Sequence, residues 1–236
     1  MRLDKNEIEF GKWLLDVGMG RNMIDYDGYI AVPPGCQVAL PQNLLDFCFS
    51  PDALRNPLLH FKELAGGLIL CTVNDTVFRI NGLPPHELKL KVGALVMIIR
   101  NLSVRQRLTN GTMLQIVEMK TDVLKCRRVD VDVGDDDVVF LSRIKFEYGT
   151  ETGHRGVKFQ RIQFPIRVAF ASTINKAQGR TMDRIGIYFY GQQAFSHGQL
   201  YTAFSRVKKR NGLRIYCAGN VRKDALLNIV YPELIR

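Results

Sequence analysis

Apolar residues change their spacing twice along the chain, and each change marks a different kind of structure. Between residues 6 and 18, Ile8, Phe10, Trp13, Leu14 and Val17 recur at helical spacing, and Gly18 and Gly20 follow as stop signals. GYIAVPPG reads as a short strand ended by Pro33 and Pro34, and PQNLLDFCF opens another short element. Leu68 to Val73 is an apolar run of strand length broken only by Thr72, and Asn74-Asp75 can cap a helix carrying Val77, Phe78 and Ile80. A strand, a polar turn and a helix start set a small polar group and helix N–H donors at the C-terminal edge of a parallel sheet.

From Glu87 to about Phe164 the spacing changes to strand-like alternation. LKLKV alternates, ALVMIIRN reads as a buried strand, and Asn110-Gly111 is a hairpin-turn signal followed by MLQIVEM and VLKCRRVDVDV. VVFLSRIKFEY and VKFQRIQF continue the pattern, with turns at Gly134 and Gly153, so five or six short strands fit a small barrel. Asp130, Asp132, Asp135, Asp136 and Asp137 lack the spaced glycine and closing glutamate of a calcium loop and read as a solvated hairpin.

Beyond Pro165 the pattern returns to alternating strands and helices. Ala171 to Gln178 has helical character ended by Gly179, with Thr173, Lys176 and Gln178 clustered around that end. Ile185 to Phe189 reads as a buried strand. On the helix after it Ser196 is placed to cap the start, Leu200, Phe204 and Val207 form an apolar stripe, and Gln199, Thr202 and Arg206 lie on another face. GLRIYCAG is the next strand, and the strand–helix–strand order implies a right-handed parallel crossover. An arginine on the exposed stripe of such a helix can stabilise charge on a γ-phosphate, and it can equally be an ordinary surface residue.

Composition narrows the classes. With 236 residues and 46% apolar content the chain can bury a sizeable core in one or two domains. No window of about 18 apolar residues exists and the MRLDKNEIEFGKW start is too charged for a signal peptide, so neither a membrane-spanning nor a secreted protein is expected. The five cysteines, Cys36, Cys48, Cys71, Cys126 and Cys217, are scattered without a CxxC pair, which argues against a disulfide framework or a zinc site and for a reduced compartment. The net charge of +10 is uneven: residues 165–236 hold 12 Lys or Arg against 3 Asp or Glu, whereas residues 1–164 hold 21 against 20. Lys208, Lys209 and Arg210, beside Arg206 and Arg214, would attract a polyanion if they form a common patch. Gly11-Lys12 is not a phosphate-cradling loop, because Trp13 follows the lysine and no glycine stands five positions before Gly11.

Leu68 to Asn81, LPPHELKLKVGALVMIIRNL with LTNGT, FPIRVAFASTINKAQGRT and FSHGQLYTAFSRV together resemble, in order, the C-terminal half of Pif-type DNA helicases of the RecD-like superfamily 1B, including the Helitron-transposon branch. FGKWLLDVG resembles the end of that family's first motor domain. The resemblance covers nearly the whole chain and implies an α/β fold: a partial RecA-like parallel-sheet domain (helicase domain 2A) with an inserted SH3-like β-barrel (domain 2B). The divisions it implies are 1–60, a remnant of the first motor domain and connector; 61–86, the first part of domain 2A; 87–164, the barrel; and 165–236, the rest of domain 2A. By the same resemblance Asn74, Thr173 and Lys176 contact single-stranded DNA, Gln178 and Gly179 link that contact to the nucleotide, Gln199 and Tyr201 are nucleotide-linked, and Arg206 is the arginine finger. His197 is expected to orient the helix start.

The family activity so implied is ATP-dependent 5′–3′ DNA unwinding with ATP and magnesium, in replication, repair, recombination or telomere maintenance, in the nucleus. The chain departs from the family in two ways. It has no phosphate loop and no Asp-Glu dipeptide to hold magnesium, so on its own it is expected not to hydrolyse ATP, and no metal ligands are assigned. A longer family segment between Asn81 and GLPPHELKL is also missing. A truncated helicase, a transposon-derived remnant, a mis-drawn gene model and a non-catalytic single-strand-binding module all fit this pattern, as does a separate chain that brings the first motor domain.

Overall fold

A computed structural model describes residues 3–74, 76–77, 88–129, 138–148, 159–219 and 221–234. The expected helix positions Phe78 and Ile80 and the aspartates of 130–137 lie outside the described residues. The chain divides into two compact units: unit 1 comprises Met1–Asn56, Lys62–Leu83 and Phe170–Arg236, and unit 2 comprises Pro57–Phe61 and Pro84–Ala169.

Unit 1 is built on four parallel strands in the order β10-β2-β11-β12: β2 (Gly67–Cys71), β10 (Ala171–Thr173), β11 (Arg184–Tyr190) and β12 (Leu213–Ala218). A parallel sheet must be covered on both faces, which is why its central strands β2 and β11 read as near-continuous apolar runs. Leu68, Leu70, Ile185, Ile187, Phe189, Leu213 and Ile215 share one buried cluster with Phe10, Leu14 and Val17 of α1 (Ile8–Met19) and Leu200, Ala203 and Phe204 of α5 (Gln199–Phe204). Toward the other face, α2 (Pro41–Cys48) lies so close that a side chain at Gly186 would come within 2.8 Å of Cys48 Sγ, and one at Gly67 would run into the Cys48 carbonyl. Gly20 ends α1 in the left-handed conformation, as its sequence position predicts. Short helices α3 (Pro51–Arg55) and α4 (Phe61–Ala65) follow α2, and β1 (Tyr29–Ala31) pairs antiparallel with β13 (Ala225–Leu227).

Unit 2 is antiparallel. Five strands run in the order β6-β5-β4-β3-β9: β3 (Leu95–Ile98), β4 (Met113–Met119), β5 (Val123–Arg128), β6 (Val138–Ser142) and β9 (Ile166–Val168). A separate pair joins β7 (Ile144–Tyr148) to β8 (Phe159–Gln163). Val96, Ile98, Leu114, Ile116, Leu124, Cys126, Leu141 and Ile166 form its core. VVFLSRIKFEY is thus two strands divided at Arg143, and LKLKV is not a strand, although Leu88 and Leu90 pack on the core. Asn110-Gly111 lies in a turn just before β4 and not in a two-residue hairpin, because β3 ends at Ile98. The buried Gln115 amide donates to the carbonyls of Pro57 (2.9 Å) and Gly93 (3.0 Å), while Arg127 Nε donates to its oxygen at 2.8 Å. That network ties residues 57–61 into unit 2.

Two expectations for unit 1 change. Ala171–Thr173 is a strand and only Ile174–Ala177 turns, as a 3-10 helix. Ser172 and Thr173 are buried where they pair with Leu70 and Cys71, and this tertiary pairing outweighs a local helical reading. Ser196 does not cap α5; Gly198 holds the cap position at φ +66°, and Ser196 gives only its carbonyl to Gln199 N.

Candidate functional site

The parallel topology fixes which candidate residues can meet. β2 ends at Cys71, which pairs with Thr173, so Thr173 and exposed Asn74 belong to the C-terminal edge of the sheet. The chain then passes through Lys176 and Gln178, both exposed, and returns through Gly179 and Arg180 toward the start of β11. There Met182 N donates to the Arg206 carbonyl at 2.8 Å and Asp183 N to the Gly66 carbonyl at 3.0 Å, which is the N-terminal edge. β2 spans five residues at about 3.3 Å each, so the two edges stand roughly 16 Å apart. The structure therefore joins Arg206 to the Gly179 turn and leaves Asn74 and Thr173 at the opposite edge.

Arg206 follows the last turn of α5 and is half-buried. Its Nε donates to the Thr202 carbonyl at 2.9 Å, one terminal nitrogen to the Arg180 carbonyl at 3.1 Å, and the other to Ser205 Oγ at 2.7 Å. Ser205 in turn donates its hydroxyl to the Thr202 carbonyl at 3.1 Å. Burial lowers the guanidinium pKa from its usual value, opposed by nearby Tyr201. The group carries five N–H donors, so three internal bonds fix its plane and leave donors for an incoming anion. Beside it Gly179 stands at φ +85° with nothing within 4 Å of where a side chain would project. A glycine there both adopts the left-handed turn and lets a ligand approach the backbone. An anion such as a terminal phosphate fits this side of the arrangement.

Other candidates have structural roles. Gln199 is buried, contrary to its predicted exposed face, and its oxygen accepts from Phe195 N at 3.0 Å, bracing the start of α5. Tyr201 packs against α1: a side chain at Gly18 would meet its ring at 3.0 Å. His197 Nδ1 accepts from Tyr231 N at 2.9 Å and its ring stacks on Tyr231, so it ties the C-terminal segment to the loop before α5.

The basic run is locally neutralised. Lys208 Nζ lies 3.8 Å from Asp183 and Lys209 Nζ 3.0 Å from Asp4, whose hydrogen bond raises the lysine pKa. Arg210 donates to the Pro34 carbonyl at 2.6 Å and its backbone N–H to Glu7 at 3.1 Å. Asp4 and Glu7 are distant in sequence, which is why a charge count by segment missed them. Ser205 and the Arg180 carbonyl were also missed, whereas Thr202, on the face assigned to it with Arg206 and four residues before it, is within reach on a helical turn. Among the described residues no cluster of three His, Cys, Asp or Glu side chains could hold a metal ion, and no helix is long and apolar enough to cross a membrane.

Comparison with known proteins supplies a class first. The family described as "DNA helicase Pif1, 2B domain" matches residues 76–119, which begin shortly after β2 and end with β4. The relatives and neighbours bear the same name. The human ATP-dependent DNA helicase PIF1 is 34% identical over 128 residues, 54% of this chain and 19% of that protein. The Bdellovibrio bacteriovorus helicase is 33% identical over 130 residues, 55% of this chain and 27% of that protein. In fold, Bacteroides Pif1 bound to single-stranded DNA matches with a TM-score of 0.63 at 21% identity, covering 100% of this chain and 53% of that one. Candida albicans Pif1 matches at 0.52 and 22% identity, over 100% of this chain and 58% of that one. The chain is thus similar to Pif1-type helicases in sequence over about half its length and in fold throughout. It spans about a fifth to a quarter of these curated relatives.

Proposed function

We propose that this chain provides the arginine-finger side of the ATP site of a Pif-type, superfamily 1B DNA helicase related to the Helitron-associated branch. In this reading unit 1 is largely the second RecA-like motor domain, unit 2 is its inserted SH3-like barrel, and residues 1–60, of which 57–60 fall in unit 2, are remnant and connector. Arg206 stabilises charge on the γ-phosphate, Gln178 and Gly179 couple the nucleotide to the DNA, and Asn74, Thr173 and Lys176 engage single-stranded DNA, assisted by Lys208, Lys209 and Arg210. Gln199 and Tyr201 hold the finger helix. The observation that carries the reading is the Arg206 guanidinium, fixed by Thr202, Ser205 and Arg180 next to the open Gly179 turn. Bacteroides Pif1, similar in fold, is known in complex with single-stranded DNA and with ADP-AlF3 and single-stranded DNA, which supports nucleotide and DNA as ligands.

ATP would bring the phosphoryl group that is transferred, and Arg206 and the Gly179 backbone are the groups of this chain that suit it. Magnesium and the β-phosphate call for a phosphate loop that the sequence does not contain, so hydrolysis requires a first motor domain from another segment or chain. The setting is nuclear replication, repair, recombination or telomere maintenance. The purified chain is expected to show no DNA-stimulated ATP turnover, and turnover abolished by Arg206→Ala would overturn the claim that it is inactive alone. A second reading, a single-strand-binding module or transposon-derived remnant without catalysis, is favoured by the missing phosphate loop. It predicts salt-dependent binding to single strands that weakens when Lys208, Lys209 and Arg210 are neutralised.

A further inference from the structure

We propose that the loop joining β3 to β4 in unit 2 docks the phosphate backbone of a double-stranded nucleic acid, a role independent of the ATP-site reading. Residues 88–117 contain five Lys or Arg and no Asp or Glu. Three of them, Arg100, Arg105 and Arg107, flank or form the loop and are exposed, and none makes an ion pair with a described residue. Unit 2 remains basic when all its aspartates are counted, with 15 Lys or Arg against 10 Asp or Glu in residues 84–169.

The loop is held in shape and is not a loose run of charge. Ser103 and Leu108 exchange backbone bonds at 3.1 and 2.8 Å, Gln106 N donates to Ser103 Oγ at 3.2 Å, and Thr112 Oγ1 donates to the Arg107 carbonyl at 3.1 Å. Arg128 on β5 reaches across and donates to the carbonyls of Gln106 and Arg107. Its positive charge therefore sits against the loop backbone. Arg107 stands at φ +53°, the one non-glycine residue in the left-handed region among the described residues. Such a backbone suits glycine or asparagine better than arginine, and the strain persists here because the surrounding hydrogen bonds impose it. The Arg100 guanidinium carbon lies 4.8 Å over the Phe146 ring, which orients that group beside the loop.

Guanidinium groups grip phosphate oxygens bidentately, and a set of them without acidic neighbours gains affinity through counterion release. Proteins that hold unpaired strands add aromatic side chains on which bases stack. Residues 99–112 contain no aromatic residue, so the loop can hold a backbone but offers no platform for an unpaired base. Duplex, with paired bases and two phosphate tracks, is the form that suits it.

The test uses the full chain and the double variant Arg105→Gln with Arg107→Asn, where asparagine tolerates the left-handed backbone. Binding is read by fluorescence anisotropy on a short blunt DNA duplex, the matching RNA duplex and the single strand, between about 50 and 200 mM salt. The expected result is a loss of about tenfold or more on duplex, a salt slope shallower by about 2, and single-strand affinity unchanged. A loss on both duplexes, or on either alone, supports backbone docking and says which form is held. An unchanged thermal melt shows that the fold is intact. Duplex affinity and slope unchanged, or single-strand binding falling as far as duplex binding, would overturn the proposal. Neutralising Lys208, Lys209 and Arg210 tests the single-strand reading separately.

Discussion

Arg206 in unit 1 and Arg105 with Arg107 in unit 2 are the same side chain in opposite settings. Arg206 is half-buried just after a packed helix, and three acceptors fix its plane. Arg105 and Arg107 project from an exposed loop whose backbone is bound while their guanidinium groups face solvent. A guanidinium fixed by burial can serve a reaction that depends on angles and distances. One left in water acts through charge, weakens with salt and gains by having neighbours of the same sign. The two settings therefore respond differently to substitution.

The largest difference is expected beneath the side chains. Leu200 is 1% exposed on the inner face of α5, and Leu200→Ala should destabilise unit 1 by about 3 kcal/mol in urea unfolding. Val104 is 76% exposed in the arginine loop, and Val104→Ala should stay within about 0.5 kcal/mol. Equal costs would break the comparison. Next, Arg206→Ala should cost about 1–2 kcal/mol in thermal melts by stripping donors from the Thr202 and Arg180 carbonyls, and Arg206→Lys should recover less than half, since an ammonium lacks the planar fork. Arg105→Ala should be neutral in the same melts. A smaller effect of the opposite sign is expected at Arg107: Arg107→Gly relieves a left-handed backbone and should add about 0.5 kcal/mol while weakening duplex binding.

The smallest effect near neutral pH concerns what the two units share. Burial pushes the thiols of Cys71 in unit 1 and Cys126 in unit 2 up to about 12 from an ordinary 9.0. The fold thus favours the neutral thiol. Stability from this source is full below the unfolded value of 9.0 and falls as pH rises above it, as the unfolded state releases protons more readily. Thiol-reactive dyes at pH 8 should label both cysteines only on unfolding; prompt labelling of either would show that core to be open.

These contrasts were only partly legible in the sequence. The strands β2 and β11 were readable because a parallel strand buried on both faces is a nearly continuous apolar run, as in RIGIYFY, and β12 because its buried and half-buried positions alternate. Ala171–Thr173 was not, because three residues carry no period and their strand character comes from pairing with β2. The cap of α5 was misread because serine is the commoner signal, while the turn here needs the positive φ of Gly198. Arg206 could be singled out by its motif and Thr202 and Ser205 are its near neighbours, but its bond to the Arg180 carbonyl depends on how that turn returns to the helix. The Lys208–Arg210 run looked like a free patch until Asp4, Glu7 and the Pro34 carbonyl were brought beside it. Counting charge over residues 1–164 gave near-balance and hid the acid-free stretch 88–117, offset in the total by aspartates at 130–137.

The proposal that draws most of these residues together is that Arg206 completes an ATP site with a phosphate loop that this sequence does not contain. It is tested most directly by mixing the purified chain with the isolated first motor domain of a Pif1 helicase and measuring single-strand-stimulated ATP turnover. The account predicts that neither part turns over ATP alone, that the mixture does, and that Arg206→Ala removes the gain by about 10³-fold or more. Turnover by this chain alone, or a gain in the mixture that survives Arg206→Ala, would contradict it.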